Sequence, residues 1–148
     1  MADLLAAPAF RLFAIVYLLL VVKMMIVGSY TSIVRIRRGA FATPEDYAFQ
    51  RATPHAGRDE DVERVRRAHR NDLENILPFF AIGFFYALSH PPLWAAQIYY
   101  IGFLVARVLH SVFYIRGLQP HRTAAFGLGA VLMTIMLVNT LIVVARAG

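Results

Sequence analysis

The chain has 148 residues, 59% of them apolar, and a positive mean hydropathy of +0.56; that exceeds what a single soluble domain of this size needs, so the bilayer is the expected solvent. With no cysteine, a disulfide framework, a zinc-thiolate site and a cysteine nucleophile are excluded, and any thiol chemistry must come from a ligand. The formal charge of +6 comes mostly from arginines that cluster between apolar runs rather than along one basic surface, which points to membrane topology and away from nucleic acid.

Met1 to Pro8 carries Asp3 and no basic residue ahead of the first apolar run, so it lacks the charged start of a cleavable signal peptide and the run is read as a retained span. This first span covers about residues 10–34, with Lys23 inside it, expected to pair with an acid such as Asp72 or to snorkel. An arginine-rich cytosolic connector of about 35–69 follows. Within it Thr43-Pro44-Glu45-Asp46 predicts a short helix, with an N-cap, a proline at N1 and an acidic first turn, and Arg51 to Gly57 reads as loop. Asp59, Glu60 and Asp61 supply the acidic start of a long helix running to Leu88, whose membrane part is about 70–89. His90-Pro91-Pro92 then turns the chain into a third span of about 93–114. Trp94 reads there as an interfacial anchor, and Tyr99 and Tyr100 as packing or interhelical hydrogen-bonding residues. A fourth span covers about 123–145, where Gly127 and Gly129 are expected to be close-packing positions. The fold class is therefore all-α, one transmembrane domain over 1–148 built as a membrane four-helix bundle. His55, His90 and His121 fall in loops without suitably spaced partners, and no metal site is proposed.

The basic connectors hold Arg35, Arg37, Arg38, Arg51, Arg58, Arg64, Arg66 and Arg67 on one side of the sequence and Arg116 and Arg122 on the other, while the Pro-Pro turn has no Lys or Arg. Both basic connectors are thus expected in the cytosol and both termini opposite.

The apolar stretches Ile76 to Ser89 and Leu93 to Ala106 give only roughly 21 Å of helix each against about 30 Å of hydrocarbon. Extending both toward the cytosol brings Arg70, Asn71, Asp72 and Glu74 to the same level as Arg107 and His110. Charge at that depth is costly unless it faces a bundle interior or a hydrated cavity and is paired there, which makes these residues functional candidates. Arg67, Arg70, Asn71 and Glu74 follow the spacing i, i+3, i+4, i+7, and Arg107, His110 and Tyr114 follow i, i+3, i+7, so two polar stripes are expected to converge. The alternative is a structural ion-pair network of Glu74 with Arg70 or Arg107. It accounts for one acid and one arginine, and the remaining guanidinium groups then want an anion. Taken singly, Arg122 also reads as a topology-setting loop charge and Asp46 as a first-turn acid.

Glu63-Arg64-Val65-Arg66-Arg67-Ala68-His69-Arg70-Asn71-Asp72-Leu73-Glu74-Asn75-Ile76 resembles the signature of the MAPEG superfamily, in its microsomal glutathione transferase and prostaglandin E synthase branches. The resemblance continues through Phe41-Ala42-Thr43-Pro44-Glu45-Asp46 and Ala106-Arg107-Val108-Leu109-His110 to Tyr114, covering most of Lys23 to Arg122. It implies a homotrimer with glutathione bound between neighbouring chains near the cytosolic side. By that likeness Arg35, Arg67, Arg70, Asn71, Glu74, His110, Tyr114 and Arg122 would hold glutathione, and Arg122 and Thr123 would lie close to its sulfur, with Asp46 placed to pair with Arg122. The tripeptide's two carboxylates suit arginine forks and its ammonium suits Glu74. Arg122 and the start of the fourth helix, with its backbone N–H groups, would favour the thiolate.

The expected function is a membrane-bound glutathione transferase, also acting as a peroxidase, on lipophilic electrophiles arriving from the lipid. A prostaglandin-E-synthase-like isomerase and a non-enzymatic lipid-binding scaffold are the alternatives. Phe126, Gly127 and Ala130 depart from the prostaglandin branch, and the absent loop cysteine departs from the transferase branch. The alanine- and arginine-rich, cysteine-free usage favours a bacterial inner membrane, or a microsomal membrane if the source is eukaryotic.

Overall fold

A computed structural model describes residues 2–54 and 57–146, so His55 of the connector loop lies outside the described residues. The described residues form six helices and no strand: α1 (Ala2–Ala6), α2 (Pro8–Arg38), α3 (Pro44–Gln50), α4 (Glu60–Leu88), α5 (Leu93–Ile115) and α6 (Gln119–Arg146). Three of these, α2, α5 and α6, are long and apolar enough to cross a membrane. Helix α4 is as long, but its first half is too charged to qualify by composition alone.

The helix boundaries follow local chemistry. The side-chain oxygen of Asp59 accepts from the backbone N–H groups of Asp61 and Val62 at 3.0 Å each and caps α4. The Thr43 hydroxyl accepts from Asp46 N at 3.3 Å and caps α3. The Glu45 carboxyl is held below its ordinary range, chiefly by its own backbone N–H and secondarily by Thr43. At the other end of α4, His90 takes a left-handed φ of 51° and Pro91-Pro92 end the helix and start α5.

Three features differ from the sequence expectation. Ala2–Ala6 forms a short helix broken at Pro8, whose ring suits N1 of the next helix. Helix α6 begins at Gln119 rather than Thr123, because Pro120 fits a first turn, where its missing N–H is no loss. Among the described residues Gly127 is not a packing position, since a Cβ added there would meet none of them within 4 Å, whereas Gly129 lies in ordinary contact with Ala106, Arg107 and Phe103.

Helix α2 packs on α4 and α5, and α6 on α4 and α5. Their shared core contains Phe13, Leu20, Ile76, Phe79, Tyr100, Phe103 and Met136. Phe79 and Phe103 stack with centroids 4.0 Å apart. The tyrosines tie helices together: Tyr100 donates its hydroxyl to Gly83 O at 2.9 Å, and Asn139 donates to the Tyr99 hydroxyl at 2.9 Å. Outside this core Leu18, Met25, Ile26, Val131, Leu141 and Val144 are exposed. An apolar surface of that extent would be a liability in water and is what hydrocarbon solvates.

Candidate functional site

Inside the bundle a charged knot is enclosed apart from the edge of Lys23. Asp72 on α4 is completely buried and receives both the Lys23 ammonium of α2 and the Arg107 guanidinium of α5, the latter at 2.9 Å. Ser111, one turn beyond Arg107, donates to the same carboxylate at 3.2 Å and accepts from Lys23 at 2.5 Å. The Lys23–Asp72 pairing is the one expected from a lone cation in an apolar run. Ser111 was not singled out from the sequence, although its i, i+4 relation to Arg107 places it on that face.

Arg107 does more than neutralise Asp72. Its Nη2 also donates to Asn71 Oδ1 at 2.7 Å and to Asn71 O at 3.3 Å. With Oδ1 held inward, the amide nitrogen of half-buried Asn71 is the end left to face outward. Asn71 is thus the junction between the enclosed knot and the exposed side of α4.

Among the described residues the two polar stripes meet inside one chain through Asn71 and Arg107, and the remaining α4 members turn away. Val65, Ala68, Asp72 and Ile76 form the buried face of α4, and Arg67, Arg70 and Glu74 fall on the opposite side by the 3.6-residue period. Arg67 is exposed, and Arg70 and Glu74, with side chains 79% and 54% exposed, join through Nε and Oε1 at 3.0 Å. Glu74 therefore pairs with Arg70, while Arg107 takes Asp72 instead. One turn further on, Pro78 sits inside α4 and has no N–H to return to the Glu74 carbonyl, leaving that acceptor beside the stripe.

Arg122, His110, Tyr114 and Thr123 form a second group at the α5–α6 turn. The half-buried Arg122 guanidinium lies over the Tyr114 ring, 4.5 Å from its centroid. His110 is buried between Tyr114 and Phe126, with ring centroids 5.6 and 6.0 Å away, and among the described residues neither its Nδ1 nor Arg107 Nε has a hydrogen-bond partner. Because α6 starts early, the Arg122 backbone N–H is already donated to Leu118 O at 3.0 Å. It is not free for a thiolate as the sequence had suggested, so Arg122 offers its guanidinium and the exposed Thr123 its hydroxyl.

Arg35, in the last turn of α2, lines a cavity of about 190 Å³ with Asp46, Ser32, Ile36, Phe41 and Gln50. Among the described residues no ion pair joins Asp46 to Arg122. One chain therefore presents three separate sets of polar groups: the α4 stripe, the Arg122 group and the Arg35–Asp46 cavity.

The sequence of the chain matches the family model described as the MAPEG family over residues 13–142. It is 41% identical over 134 residues to microsomal glutathione S-transferase 1 of Sus scrofa, covering 87% of this chain and 86% of that protein. With prostaglandin E synthase of Homo sapiens it shares 41% identity over 124 residues, covering 83% and 82%. With microsomal glutathione S-transferase 1 of Rattus norvegicus it shares 45% over 116 residues, covering 75% of each.

Proposed function

The chain belongs to the MAPEG family, and on that premise we propose that it is an integral membrane glutathione transferase with peroxidase capability, acting on lipophilic electrophiles delivered from the bilayer. Four helices cross the membrane, α4 doing so with its charged half at the cytosolic boundary. The working unit is a homotrimer in which glutathione sits between chains. Glutathione supplies the nucleophile, a thiol that attacks when ionised.

The residues fit that ligand by charge and by accessibility. Arg67, Arg70 and Arg35 meet its carboxylates, and Glu74 its ammonium. The Arg70–Glu74 pair does not block this, because an exposed ion pair is worth only about 0–1 kcal/mol and exchanges readily for ligand contacts. Asn71, with its amide pinned by Arg107 at 2.7 Å, supplies a preoriented donor, and His110 and Tyr114 line the same boundary. Arg122 holds the sulfur, since a guanidinium beside a thiol favours the thiolate; the Thr123 hydroxyl donates to it, and Asp46 orients Arg122 in the assembly.

The carrying observation is the α4 stripe, exposed on its outer side and anchored from within at Asn71. Conjugation of glutathione with a reactive aryl halide tests it in wild type, Arg122→Ala and Glu74→Gln. Arg122→Ala is expected to lose thiolate formation and turnover while still binding glutathione. Glu74→Gln is expected to weaken glutathione binding about tenfold, the scale of one charge-assisted contact. Equal activity in all three would overturn the residue roles, and absence of glutathione binding would overturn the transferase in favour of a lipid-binding scaffold.

The likeness to prostaglandin E synthase supports a second reading, a glutathione-dependent isomerase. Glutathione consumed per product separates the two: one per turnover for conjugation and none for isomerisation.

A further inference from the structure

A cavity of about 340 Å³ lies between the ends of α2, α4 and α5. Three guanidinium groups, Arg37, Arg38 and Arg64, surround it with one carboxylate, Asp61. Asp61 is paired with Arg38, and among the described residues neither Arg37 nor Arg64 has an acidic partner. The Arg64 guanidinium reaches the turn after α5, where a Cβ built on Gly117 would stand 3.4 Å from its Nη1. The inner wall is apolar and belongs to the small second core, with Val34 and Val65 buried and Tyr30 and Ile115 packed against them.

This cavity is distinct from the glutathione stripe. Asp61, Arg64 and Val65 lie on the flank of α4 toward α2, whereas Arg67, Arg70 and Glu74 lie on its outer side. Its depth is fixed by α2, whose apolar run ends at Val34 and whose next turns carry Arg35, Arg37 and Arg38. A group held here sits at the boundary where phospholipid head groups lie.

We propose that this cavity binds the phosphate of an anionic phospholipid, with Arg37 and Arg64 on the phosphate oxygens and the acyl chains leaving along Tyr30, Val34 and Ile115. Two guanidinium groups without carboxylates supply the anion preference. The adjoining apolar wall favours a lipid over a soluble phosphate. The site rests on the reading of this end of the bundle as a membrane boundary and is independent of the glutathione assignment.

The test uses full-length protein in neutral detergent, titrated with short-chain phosphatidylglycerol, phosphatidylcholine of the same chain length, and inorganic phosphate. Binding is read by microscale thermophoresis in wild type, Arg64→Gln, Arg64→Lys and Arg37→Gln, with the glutathione Kd measured alongside. Phosphatidylglycerol is expected to bind at least about fivefold tighter than phosphatidylcholine, and each Arg→Gln change to weaken it about fivefold, the scale of one basic residue at an anionic surface. Arg64→Lys should retain most of the affinity, and glutathione binding should not move. Equal binding of the two lipids, or an unchanged phosphatidylglycerol Kd in Arg64→Gln and Arg37→Gln, overturns the proposal. Inorganic phosphate binding as tightly as the lipid would make this a soluble-anion site. Loss of glutathione binding in Arg64→Gln would make it part of the glutathione site instead. Should Arg64→Gln fail to fold, the exposed Arg37→Gln decides the same question.

Discussion

Asp72 accepts two cations, Lys23 and Arg107, inside an apolar bundle, so the knot keeps one positive charge more than it neutralises. Removing the carboxylate leaves both cations buried together, and Asp72→Ala is expected to cost about 3–5 kcal/mol, the range for breaking a buried pair from one side. Lys23→Met removes the surplus cation and leaves Arg107 and Asp72 matched, so it should shift stability by less than about 1 kcal/mol. Thermal unfolding in detergent compares them; equal losses would mean that Lys23, not Arg107, is the principal partner. The Lys23–Asp72 contact was legible in the sequence because a single lysine inside an apolar run needs an acid at its own depth. That Arg107 faces α4 was legible too, but its acid was not: the spacing singled out Glu74, whereas Asp72 lies on the buried face that Arg107 meets.

At the scale of elements, close helix approach is concentrated at Gly83 of α4. A Cβ there would stand 2.8 Å from Phe13 Cε2 of α2 and 3.5 Å from Tyr100 Cε1 of α5. The Phe13 ring is itself held by Phe10, Phe84 and Tyr100, so it cannot swing aside as the free end of Leu132 can beside Gly102. Gly83→Ala is therefore expected to destabilise by about 1–3 kcal/mol, as overpacking does, with Phe13→Leu in the same chain recovering part of the loss. Unfolding midpoints of the single and double variants check this, and a harmless Gly83→Ala would show that α2 and α4 are less tightly apposed. None of this was visible in the sequence, where Gly127 and Gly129 carried the packing reading. Helix starts were more legible: Thr43 and Asp59 cap through side chains whose chemistry is local. The early start of α6 was missed because Gln119 and Pro120 are polar or helix-breaking by composition, yet suit a first turn.

In the whole molecule the separation of polar groups becomes the decisive fact. The chain holds an outward stripe on α4, with Arg70 79% exposed, and a guanidinium at the start of α6 that touches Tyr114 and no residue of that stripe. A site needing both is completed by assembly, which the sequence could indicate only through its family likeness, because periodicity describes one helix and not the surface it meets in another chain. If glutathione lies between protomers, with the α4 stripe of one chain facing Arg122 of its neighbour, then Glu74→Gln and Arg122→Ala disable opposite sides of the same site. Chains carrying one change each, co-expressed and purified by two different tags, would then regain intact sites in mixed trimers. In a closed ring of three that holds both kinds of chain, one site of the three has both sides wild type, so at glutathione below its wild-type Kd activity of about a third of wild type is expected, against about a tenth or less for either variant alone. Were all site residues drawn from one protomer, every site would carry a lesion and mixing would restore nothing. Because both variants are single side-chain changes on exposed or half-buried positions, recovery on mixing cannot come from rescued folding, and the measured fraction reads directly on how the site is shared.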